Sequence, residues 1–111
     1  MGFSQQQEAS GVTVVRVDGQ LIVGNRHQLK ELIQAALDQG ARRILVDFSE
    51  TGYIDSSGLG ALVSISKRVR EVGGELRLSG LNDDLRSLFE LTKLDTLFTI
   101  ADTPQQALAG F

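Results

Sequence analysis

The stretch YIDSSGLG, residues 53–60, lies between the apolar run RILVDF (43–48) and the helical pattern ALVSISKRVREV (61–72). It sets one carboxylate, Asp55, beside two adjacent hydroxyls, Ser56 and Ser57, and two glycines, Gly58 and Gly60. A helix start needs one capping side chain, and Asp55 can supply it by accepting a hydrogen bond from a free backbone N–H. Both serines are then surplus to capping. Each glycine in a first helical turn costs roughly 0.5–1 kcal/mol relative to Ala, and is tolerated where another backbone comes close. The junction therefore reads as a site. Nucleophilic catalysis fits it poorly, because the serines lie outside a G-x-S-x-G elbow and no His follows them to complete the order Ser, acid, His. A dinucleotide loop would need a third glycine where Val63 stands, and no G-K-[ST] is present for a P-loop. What remains is anion chemistry. The amides and macrodipole of a helix start favour a phosphate, either free or carried covalently by a serine.

Composition narrows the partners. A chain of 111 residues is expected to form one domain, 1–111, burying about 65% of its unfolded surface in a single core. With 41% apolar and 23% charged residues, it has the balance of a soluble globular protein. The absence of cysteine excludes a disulfide framework, a thiolate metal site and a Cys nucleophile. The single His, His27, projects from the polar side of a helix with no second ligand beside it. No metal and no cofactor are expected. A net charge of −3 and a sequence pI near 5.0 leave no broad basic field for nucleic acid. No apolar run approaches the ~20 residues that cross a bilayer. MGFSQQQE has neither the regions of a signal peptide nor the hydroxyl of a myristoylation signal at position 6. The expectation is a cytoplasmic protein with no membrane partner.

The elements that must position the serines can be read by period. VTVVRV (12–17), Asp18-Gly19 and QLIV (20–23) are expected to form a strand, a tight turn and a strand. NRHQLKELIQAALDQG (25–40) is an amphipathic helix with Leu29, Leu32, Ile33, Ala36 and Leu37 on one face, Asn25 as its cap and Gly40 as its stop. RILVDF reads as a strand covered on both sides. A second helix runs from the serine motif to Gly73-Gly74, and ELRLSG (75–80) alternates as a strand. A third helix, capped by Asn82 or Asp83, carries Leu85, Leu88 and Phe89. TLFTIA (96–101) is a last strand, and Thr103-Pro104 opens a terminal helix. This order predicts an α/β fold: a mixed, mostly parallel sheet with about four helices and an N-terminal hairpin.

At this point VDFSETGYIDSSGLGALVSISKRVREVGGELRLSGL resembles the core of the STAS domain family, the bacterial anti-sigma factor antagonists. The D-S-S-G-L-G box at a strand-to-helix junction, followed after the helix by Gly-Gly-x-Leu-x-Leu, carries the likeness, and the element order matches from about 10 to 110. The resemblance implies a module with no catalysis of its own, monomeric or at most weakly dimeric. It implies Ser56 as phosphoacceptor, with Asp55, Ser57, Gly58 and Gly60 shaping its loop. The implied partners are an anti-sigma factor that is also a serine kinase, which binds only the unphosphorylated form, and a serine phosphatase that resets the switch. The alternative is a STAS subunit of a transporter or sensory complex. One departure stands out: family members often carry an acidic residue just after Gly-x-Leu, where this chain has Ile22 and Val23 behind Gly19-Gln20-Leu21.

Helical projection at about 100° per residue adds an interface independently. Leu59, Leu62, Ile65, Ser66 and Val69 should pack on the sheet. Gly60, Val63, Ser64, Lys67 and Glu71 should form an outward strip continuing from Ser56. Solvation explains Lys67 and Glu71 but not Val63, so Gly60, Val63, Ser64 and Lys67 are expected to contact the partner. KRVR (67–70) is expected to be a solvated patch near the helix C-terminus rather than a nucleic-acid site.

Overall fold

The computed structural model describes residues 2–111. Among them, strands β1 (Gly2–Gln7), β2 (Thr13–Leu21), β3 (Arg43–Ile54), β4 (Glu75–Ser79) and β5 (Thr99–Ala101) form one sheet in sequential order. Helices α1 (Arg26–Asp38), α2 (Ser56–Glu71), α3 (Asp83–Leu91) and α4 (Pro104–Ala109) follow β2, β3, β4 and β5 in turn. The pairs β2·β3, β3·β4 and β4·β5 are parallel and β1·β2 is antiparallel. Parallel crossovers keep one hand, so three of them stepping in one direction place α1, α2 and α3 on the same face. Ile44, Val46, Phe48 and Leu78 meet Leu29, Ile33, Leu62, Ile65, Leu85 and Phe89 there. The other face carries a smaller cluster of Val12, Val14, Leu45 and Ala107 beneath α4. Arg77 fixes that helix by donating to the carbonyls of Ala107 (3.0 Å) and Gly110 (2.5 Å).

A hairpin does open the sheet, but other residues build it. Asp18-Gly19 is not a turn; it lies inside β2, which continues past it alongside β3 to the pair Leu21↔Ile54. The parallel neighbour keeps the segment extended, and the positive φ of Gly19 (+95°) is absorbed as register shifts on either side of Asp18 and Gly19. The antiparallel partner is the glutamine-rich β1, turned by residues 8–12 with the Glu8 N–H donating to the Val12 carbonyl (2.9 Å). Asn25 precedes α1 without capping it. The stop of that helix is as expected: Gly40 takes φ +99°, and Ala41 donates to the Ala36 carbonyl (3.0 Å). Leu32 is only half-buried. The last strand is shorter than TLFTIA, since Leu94–Thr96 forms a 3₁₀ turn entered through Lys93 at φ +64°.

One buried network lies where β3 parts from β4. Pairing of β3 with β4 ends at Asp47↔Ser79, whereas pairing with β2 runs on to Ile54. At that point Asp47 is 2% exposed. Its Oδ1 accepts from the hydroxyls of Ser49 (2.7 Å) and Ser79 (2.9 Å), and Arg16 Nε lies 3.5 Å from Oδ2. Asp47→Ala leaves the buried Ser79 hydroxyl without its acceptor, a cost of about 2 kcal/mol. Thermal melting should fall by roughly 10 °C, and an unchanged melting temperature would refute a structural role for this network.

Candidate functional site

The serine motif is built around Asp55. Its extended backbone (φ −90°, ψ 178°) ends β3 and caps α2, with Oδ1 accepting from the Gly58 N–H at 2.7 Å. Oδ2 reaches sideways to the Val23 N–H, 3.1 Å away in the loop after β2. The Asp55 N–H in turn donates to the Leu21 carbonyl at 3.1 Å. Asn25 holds the same loop from its other end, accepting from the Ile22 N–H (2.9 Å) and donating to the Gln20 carbonyl (2.8 Å). Loop 22–25 and the start of α2 are thus one hydrogen-bonded unit.

The two glycines play different parts. A Cβ on Gly58 would overlap the Leu21 carbonyl oxygen and lie 2.9 Å from Ile54 Cγ2, so close backbone approach requires Gly there. A Cβ on Gly60 would meet nothing within 4 Å. Gly60 is exposed, so the space above it is open.

Ser56 is exposed and Ser57 half-buried. Among the described residues neither hydroxyl has a hydrogen-bond partner. The chain itself therefore separates two hydroxyls that are equivalent in sequence, with Ser56 the accessible one. Along α2 the expected faces hold: Leu59, Leu62, Ile65, Ser66 and Val69 are buried, while Gly60, Val63, Ser64, Lys67 and Glu71 are exposed. Val63 is 36% exposed, and two further apolar side chains missed by the sequence reading stand near the same junction, Val23 at 63% and Tyr53 at 57%. Val23 is expected at the end of a strand (20–23), but β2 stops at Leu21 and Val23 stands in the loop after it. Tyr53 follows the register shifts of β2·β3, so alternation marks neither as exposed. His27 lies far out in solvent, 3.0 Å from Glu31. Among the described residues no three His, Cys, Asp or Glu side chains group as metal ligands, and no helix is long and apolar enough to cross a membrane.

Fold and site together define a class: a small α/β domain that presents an uncommitted serine hydroxyl at a helix start. The chain belongs to the STAS domain family, whose model matches residues 4–107. It is 34% identical over 86 residues to the anti-sigma-B factor antagonist of Staphylococcus aureus, spanning 78% of this chain and 80% of that one. A candidate anti-sigma factor antagonist from Thermotoga maritima superposes with a TM-score of 0.90 at 28% identity, covering 97% of this chain and 92% of the other. The phosphorylated form of the Bacillus cell fate determinant SpoIIAA superposes with a TM-score of 0.75 at 25% identity, covering 97% of each chain.

The glycine assignment is directly testable. Gly60→Ala should raise stability by up to about 1 kcal/mol, since the site is open and helical. Gly58→Ala should lower it by more than that and loosen loop 22–25. Equal effects of the two substitutions in denaturant unfolding would contradict the packing described.

Proposed function

We propose that this protein is an anti-sigma factor antagonist working by partner switching in the cytoplasm. Its unmodified form binds an anti-sigma factor that is also a serine kinase, so the sigma factor is released. Phosphorylation of Ser56 ends that binding, and a serine phosphatase restores it. The observation that carries this reading is Ser56 itself: exposed, unpartnered, and held by the Asp55 cap at the head of the strip Gly60, Val63, Ser64 and Lys67. The antagonist relative and the phosphorylated structural neighbour support it.

The energetics suffice without a large rearrangement. A phosphate adds ≈ −1.5 to −2 charge and a hydration shell at the strip's head. A 100-fold loss of affinity needs only ~2.8 kcal/mol, and an unmatched charge buried at an interface can cost that much. Stability should change little, because the helix start favours the negative charge while Asp55 repels it.

Incubation with the kinase and Mg-ATP should place a single phosphate, mapped by peptide sequencing to Ser56. Ser56→Ala should bind the partner persistently, and Ser56→Asp should bind roughly tenfold more weakly, a difference of ~1.4 kcal/mol. Val63→Asp should weaken binding even with Ser56 unmodified. Label on Ser57, or equal calorimetric affinities for Ser56→Ala and Ser56→Asp, would overturn the proposal.

A further inference from the structure

Ser56 borders a second surface that the α2 strip does not include. Beyond Asp47, β3 has no β4 neighbour, and α3 crosses this open edge, with Asn82 Nδ2 donating to the Thr51 carbonyl at 3.4 Å. The start of α2 and the body of α3 are thereby held apart, leaving a groove of about 500 Å3. Ile54, Leu59, Leu85 and Leu88 make its floor, Tyr53 one wall, and Ser56 and Asp84 part of its rim.

The groove has a distinct charge. Its lining includes the carboxylates of Asp55 and Asp84 and no cation. Asp55 spends both oxygens on the amides of Gly58 and Val23. Asp84, in the first turn of α3 beside Asp83, has no partner among the described residues. An apolar floor rimmed by an unneutralised carboxylate fits an apolar side chain that arrives with a cation next to it.

We propose that this groove receives an apolar side chain of the anti-sigma factor, flanked by a Lys or Arg that pairs with Asp84. The assignment rests on the proposed function and extends its interface from the α2 strip across Ser56 to α3. Ser56 then stands between two halves of one contact. A phosphate on it stands at the groove's mouth, where its hydration shell must be stripped before the apolar side chain can enter.

The test is a calorimetric cycle against the anti-sigma factor, with melting temperatures as the control for folding. Tyr53→Ala and Asp84→Lys alter exposed positions, and each should weaken binding about tenfold. The first should leave melting nearly unchanged, and the second should lower it by only a few degrees, because a cation in the first turn of α3 opposes the helix dipole. Asp84→Lys should also flatten the salt dependence of the affinity. In a Ser56→Asp background Tyr53→Ala should cost almost nothing further, because the groove is already shut; such non-additivity is the signature of a shared contact. If Ser56→Asp weakens binding but neither groove variant does, or if the effects simply add, the groove assignment fails and the partner switch stands. If the unmodified protein does not bind an anti-sigma factor, both fail. A second copy of this chain in the groove would appear as a concentration-dependent dimer dissolved by Tyr53→Ala with partner affinity untouched, and would also overturn the assignment.

Discussion

Everything distinctive at this junction depends on one carboxylate holding two amides. Asp55 Oδ1 accepts from Gly58 and Oδ2 from Val23, so a single side chain fixes both the start of α2 and the loop that follows β2. The bond to Gly58 is the ordinary cap of a helix. The bond to Val23 is not required for capping, and it turns a helix start into a rigid platform. Gly58 is part of the same constraint, because only a residue without a Cβ lets α2 begin against the Leu21 carbonyl.

A rigid platform suits a switch that acts through charge. Since the Asp55 cap holds Gly58 and Val23 and the Ser56 hydroxyl has no hydrogen-bond partner among the described residues, that hydroxyl can be modified without breaking a hydrogen bond. The apolar groups nearby, Val23, Tyr53 and Val63, are exposed, and in the proposed interface they supply contact area that a new charge among them would spoil. The buried Asp47 network stands where β4 pairing ends, and beyond it β3 runs on beside β2 alone to Ile54, which leaves α3 room to stand off from α2.

Much of this was legible in residues. The 3.6-residue spacing of α2 separated buried Leu62 and Ile65 from exposed Val63 and Lys67, and the D-S-S-G-L-G box located the site. Elements stabilised by neighbours rather than by their own pattern were not legible. β1 is a polar edge strand with four exposed residues, so it shows no alternation and draws its order from the β2 backbone. Asp18-Gly19 is a turn by local preference, yet pairing with β3 overrides that preference. Asn25 had the chemistry of a cap, but its amide bridges Ile22 and Gln20 instead. The α2–α3 groove arises from strands of unequal length, a property of the assembled sheet that no single segment encodes.

The central claim is that Ser56 changes the charge of this platform and not its shape. Amide hydrogen exchange on the unmodified and the fully Ser56-phosphorylated protein measures that most directly. The account predicts that the amides of Gly58 and Val23, and those through the middle of α2, keep their protection in both forms. Loss of protection at Val23 and along the first turns of α2 on phosphorylation would contradict it, and would mean that the switch works by melting the helix start.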